Sequence, residues 1–157
     1  MQKKKIALTV VSLALGALGL FRFFQGMSSA DSYNDYVDQL RPLLENQDAL
    51  LEEIQGATDQ DGAQKIDGWL KQSREIEEGM KKIVFEDDWI KELHVHMLKR
   101  GDSFTKMVVA EKKYFQTGSD ADLQTMTKHA NDAGAHLEAF IKDRDRLAKD
   151  KNFEVQE

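Results

Sequence analysis

Residues 66–100 read IDGWLKQSREIEEGMKKIVFEDDWIKELHVHMLKR, and whether they form one helix or two decides how many helices the chain has. Ile66, Trp69, Leu70, Ile76, Met80, Ile83 and Val84 recur at three- and four-residue steps and share one helical face. A second stripe opens at Trp89, Ile90, Leu93 and Met97 and continues through Phe104, Met107, Val108, Tyr114 and Phe115. On a wheel of about 100° per residue the two stripes lie well over a quarter-turn out of phase. One straight helix cannot aim both at the same core. Glu86-Asp87-Asp88 supplies an N-cap and first-turn acids for a new helix. The pattern therefore predicts a turn at Phe85–Asp88 between a helix from Ala63 to Val84 and another from Asp88 to Gln116. Gly101-Asp102-Ser103 is a possible split of the latter, but the stripe keeps its phase across it and predicts continuity.

Upstream, Tyr33, Tyr36, Val37, Leu40, Leu43, Leu44, Leu50, Leu51 and Ile54 form the face of a helix from Asp31 to Gln55, with Asp31 and Ser32 as N-cap candidates. Pro42 either kinks this helix or marks its true first turn. Gly56 to Gly62 reads as a loop by composition. Gly68 and Gly79 each weaken the next helix by ~1 kcal/mol relative to alanine. Downstream, Thr117-Gly118 ends a helix, Ser119 caps the next, and Asp122 three residues on makes a capping-box-like pattern. Leu123, Met126, Ala130, Ala133, Leu137, Phe140, Ile141, Leu147 and Ala148 then share a face from Asp120 to Lys149, and residues 151–157 read as a frayed tail. Four amphipathic helices on short turns predict an all-α fold, an antiparallel up-down-up-down four-helix bundle over residues 31–150.

Ahead of the bundle stands a stretch of different character. Residues 1–5 carry Lys3, Lys4 and Lys5; Ile6 to Phe24 is nineteen residues with one charge, Arg22; residues 25–30 link it to the bundle. At ~1.5 Å rise per residue the apolar run is ~28 Å long, close to a hydrocarbon core of ~30 Å. Basic flank and apolar run suit either a retained signal-anchor helix or a signal peptide cut after Ala30, where Ser28 and Ala30 are the small residues. Arg22 among Phe21, Phe23 and Phe24 resembles an interfacial belt more than a polar cleavage region, which favours the anchor. Gly16 and Gly19 offer only a weak helix-packing signal. The positive flank puts the N-terminus in the cytoplasm and the bundle outside.

Charge narrows the partners. Of 22 Lys and Arg, Lys3, Lys4, Lys5 and Arg22 precede Asp31; the remaining 18 stand against all 28 Asp and Glu, a net charge of −10. Such a domain repels phosphate backbones and is a poor nucleic-acid binder. The chain has no cysteine, which removes disulfides, thiolate metal sites and lipoprotein acylation.

Two constellations bear on chemistry. His94 and His96 are two apart on one helix and point away from each other, and His129 and His136 share only the edge of a stripe. No Glu-x-x-His or His-x-x-x-His occurs, so neither a metal nor a cofactor is expected. The other constellation is polar residues on apolar faces: Gln47, Ser73, Glu77, Arg100, Glu111 and Arg144, with His136 at the edge. With the predicted turns as mirrors, Arg100 falls level with Ser73 and His136, and Glu77 with His96 and Phe140. Ser73, Glu77, Arg100, Glu111, His136 and Arg144 are thus the candidate ligand-binding set, against the plainer reading of edge charges or a register-fixing polar layer.

A single apolar segment followed by a four-helix bundle resembles bacterial extracytoplasmic sensor domains in outline. It departs from them in lacking a second apolar segment and an output domain, which points away from signalling through its own chain. The expectation is a non-enzymatic, single-pass inner-membrane protein of a bacterial envelope, its bundle on the periplasmic side as an interaction or scaffold module with a protein partner. Cleavage would release the bundle to the periplasm. The alternative is a small-ligand- or metal-binding bundle, a sensor or carrier, in the same compartment.

Overall fold

Thr58 sets where the second helix begins, and with it the layout of the first half of the bundle. Its hydroxyl oxygen accepts the Asp61 amide at 3.2 Å and its hydroxyl donates to the Asp61 carboxylate at 2.6 Å. The computed structural model describes residues 30–153, and in them four helices follow one another with no strand: α1 (Asp31–Gly56), α2 (Asp59–Lys81), α3 (Asp88–Thr117) and α4 (Asp120–Asp150). The apolar run at 6–24, its basic flank, the linker up to 29 and the residues beyond 153 lie outside this range.

The connection between α1 and α2 is only Ala57 and Thr58, shorter than the Gly56–Gly62 loop the composition predicts. Asp59 and Asp61 sit in the first turn of α2, where the helix dipole favours acids. Gly62 lies under Phe115: a Cβ there would come 2.4 Å from the Phe115 ring. Its glycine serves a close approach, not a turn. At the start of α1, Ala30 is the N-cap and makes no side-chain cap bond. Ser32 instead bonds across to the Asp87 carboxylate. α1 runs unbroken through Pro42, which excludes the first-turn reading. The amide that Pro42 lacks is the one Asp38 would have received, and Asp38 is exposed, so water can serve that carbonyl.

The predicted break before Trp89 is present, but α2 ends at Lys81, three residues before Val84. Val84 is 72 % exposed and leaves the apolar face assigned to it. Its backbone is clamped by one side chain: Gln39 Nε2 donates to the Val84 carbonyl at 2.8 Å, and the Val84 amide donates to Gln39 Oε1 at 3.2 Å. The extended connection shifts the register. Lys112 Nζ donates to Asp67 at 2.6 Å, Thr105 Oγ1 to the Ser73 carbonyl at 3.4 Å, and Gly101 lies against Met80 and Glu77. Lys81 is thus near the level of Leu98, and α3 projects about ten residues, ~15 Å, past the end of α2. Residues 83–87 can climb that distance, since five extended residues reach ~17 Å. A tight reversal was the wrong mirror: Ser73 is level with Thr105 and not with Arg100, and Glu77 is level with Gly101 and not with His96.

α3 is continuous through Gly101 and ends as its sequence predicts, with Gly118 left-handed at φ 64° and its amide on the Tyr114 carbonyl at 2.8 Å. Ser119 caps α4 by accepting the Ala121 amide at 3.2 Å. The capping box does not close, because Asp122 accepts the Thr117 hydroxyl at 2.6 Å instead. At the other end of α4 the predicted fraying does not begin at Lys151. Asn152 turns left-handed, the Phe153 amide returns to the Ala148 carbonyl at 2.8 Å, and the Phe153 ring packs 5.9 Å from Trp89. Helix ends, side-chain contacts and short connections together give an up-down-up-down bundle. Tyr36 of α1 closes the ring by stacking on Phe140 of α4 at 6.5 Å. Tyr33, Leu40, Leu44, Ile54, Met80, Ile90, Leu93, Phe104, Met107, Leu137 and Phe140 are among its buried residues.

Candidate functional site: polar groups in the bundle core

Arg100 is fully buried at mid-bundle, where small residues on α4, Ala130, Ala133 and Gly134, are buried too. Its Nε donates to Gln47 Oε1 of α1 at 2.7 Å and its Nη1 to the Ala133 carbonyl of α4 at 3.3 Å. Arg100 Nη2 and Gln47 Nε2 are both buried without a hydrogen-bond partner. No carboxylate lies within ion-pair distance of the guanidinium among the described residues. Burial pulls the Arg100 pKa down to about 10, opposed by the half-buried Asp48. His136 of α4 feels the same layer: burial, then Lys99 and His96, disfavour its charged form, and Arg100 adds to this.

The other candidates do not join that layer. The Ser73 hydroxyl is spent on the Leu70 carbonyl of its own helix at 2.9 Å. Glu77 is partly exposed and pairs with Lys81 at 3.0 Å. Glu111 is fully buried, but eleven positions from Arg100 along α3, which is ~16 Å. Arg144 is buried near the opposite end, where its Nε and Nη2 donate to Asp145 at 2.9 and 2.6 Å. Arg100 and His136 thus share a level, with Glu77 near it at the surface of α2, while Ser73, Glu111 and Arg144 stand at other levels, and the six line no common pocket among the described residues. A groove of about 400 Å³ between α1 and α2, lined by Leu43, Asn46, Leu50, Glu53, Gln72 and Ile76, contains none of them.

A second polar cluster was not among the candidates. At the bundle end where α1 begins, the Tyr36 hydroxyl meets His94 Nδ1 at 3.1 Å, and both are buried. The Met80 backbone beside the ring favours the charged form of His94 and opposes the effect of burial. Burial lowers the His94 pKa and drives the Tyr36 phenol strongly upward. Phe85 packs 5.0 Å from His94, and Tyr33 stacks on Trp89 at 5.9 Å. Burial pushes the Tyr33 phenol up to about 12 although Arg144 beside it pulls down. Tyr33 and Tyr36, three apart on an apolar stripe, were the available signal, since each brings a hydroxyl into the core with its ring.

His94 and His96 diverge as their two-residue spacing implies. His94 turns to Tyr36, His96 Nε2 meets Asp143 at 2.8 Å, and His129 sits 3.8 Å from Asp132. Among the described residues no three His, Asp or Glu converge as metal ligands. No described helix is long and apolar enough to cross a membrane. No family model matches the chain, and neither a curated protein nor a solved structure is similar to it.

Proposed function

We propose that the chain is a membrane-anchored helical-bundle module of a bacterial envelope, held on the extracytoplasmic side and acting by binding a protein partner. The observation that supports this reading is the run Ile6–Phe24 behind Lys3, Lys4 and Lys5, followed within a few residues by the start of α1. A span of that length crosses once, and its basic flank stays in the cytoplasm. The folded part contributes an acidic surface and, among the described residues, no convergent set of metal ligands, which suits recognition better than catalysis.

Photo-crosslinking in intact membranes tests the reading. Probes at exposed positions such as Lys71 or Lys128 should give a discrete protein adduct that vanishes when residues 1–29 are deleted. Uniform absence of adducts from a set of probes on all four helices, with the anchor intact, would reject an interaction module.

A further inference from the structure

The Arg100 layer has a chemical imbalance that the bundle itself does not settle. A guanidinium edge made of Nε and Nη2 presents two parallel N–H groups and suits two acceptors. Gln47 offers it one, its Oε1, at 2.7 Å. The amide cannot be turned round, because that would set Nε2–H against Nε–H. The edge therefore keeps Nη2 spare, and the amide keeps Nε2 spare; both are buried donors without a partner. Both belong to groups already joined by the Nε–Oε1 hydrogen bond, so the Arg100–Gln47 pair as a whole carries two spare buried donors. What is missing between them is an acceptor. The charge balance points the same way: Arg100 has no carboxylate at ion-pair distance among the described residues, and the Ala133 carbonyl already takes Nη1. A water would accept from both donors but would bring two hydrogens in need of acceptors of their own. A monatomic anion accepts from both, brings no hydrogens and supplies the missing charge.

We propose that this layer binds one small monatomic anion, of the size and charge of chloride, between Arg100 Nη2 and Gln47 Nε2. The site lies where α1, α3 and α4 meet, so an ion there ties three helices at mid-height. The inference does not depend on the membrane reading.

The full chain in detergent tests it by thermal melting, with chloride or bromide replacing gluconate at constant ionic strength. The wild type should show a saturable rise in Tm with either halide. Gln47→Glu places a second acceptor on the guanidinium edge, so this variant should melt higher than wild type without halide and lose the halide response. Arg100→Met, which keeps the length and removes the charge, should also lose it. If that variant does not fold, Gln47→Glu still decides. Equal halide responses in wild type and Gln47→Glu, including none in either, would overturn the proposal. In crystals grown with bromide, an anomalous peak between Arg100 and Gln47 supports the site, and a water there with no anomalous signal refutes it.

Discussion

Replacing Gly68 with alanine and, separately, Gly101 with alanine tests the packing from both sides of the same physics. A glycine inside a helix leaves ~1 kcal/mol unrealised relative to alanine, largely through the entropy of the unfolded chain. Gly68 lies within α2, exposed, and a Cβ there meets nothing within 4 Å. The whole gain should therefore appear, raising Tm by roughly 4 °C for a domain of this size. Gly101 is buried in α3, and its Cβ would come 3.0 Å from Met80 Sδ and 3.6 Å from the Glu77 Cα. Met80 is itself fully buried, so the sulfur has little room to retreat. Overpacking of this kind costs ~1–3 kcal/mol, which cancels or exceeds the propensity gain, for a net loss of ~0–2 kcal/mol. Urea midpoints at constant slope give both numbers. Gly68→Ala below wild type, or Gly101→Ala above it by the full ~1 kcal/mol, would show that α2 does not meet α3 in this register.

Other expectations are briefer. His94 is disfavoured as a cation in the fold by burial, so its folded pKa lies below the unfolded ~6.5 and the folded state binds fewer protons. Stability should hold above that value and fall as pH drops through it; His136 shifts in the same direction, so the urea midpoints at pH 7.5 and 5.5 are compared in wild type, His94→Gln and His136→Gln, and an unchanged pH slope in His94→Gln would refute the assignment. Leu93→Ala and Leu137→Ala, both at fully buried sites, should each cost ~2–5 kcal/mol by denaturant unfolding. Thr58→Ala removes the cap of α2 and should cost ~1 kcal/mol; no loss would place the α2 start elsewhere.

How much was legible in the sequence follows from what kind of signal each feature has. The four helices and their buried faces came from apolar periodicity, which reports directly on the face a helix hides. The break before Trp89 came from a phase shift, which marks a change of helix but not its last residue. The end at Lys81 depends on Gln39 clamping Val84 from another helix, a contact no local pattern carries. Asp59, Asp61 and Gly62 read as a loop because the same residues suit turns and first helical turns; Thr58 decides between the two. Arg100 was recognisable as a problem, since a cation on an apolar stripe must find partners, and Gln47 stood out for the same reason. Which groups meet which depended on register, and an extended connection moved Ser73 and Glu77 about five residues away from their expected levels. The pairing of His94 with Tyr36 was missed because His94 was weighed only as a metal ligand and Tyr36 passed as a core aromatic.

The central claim, a bundle tethered by its own apolar segment, is tested most directly by the intact mass of the protein extracted from carbonate-washed bacterial membranes. The tethered account expects the protein to stay in the washed membrane, with a mass that retains Ile6–Phe24. A protein released by the wash, with a mass that begins at Asp31, would contradict it and leave a free bundle in the periplasm.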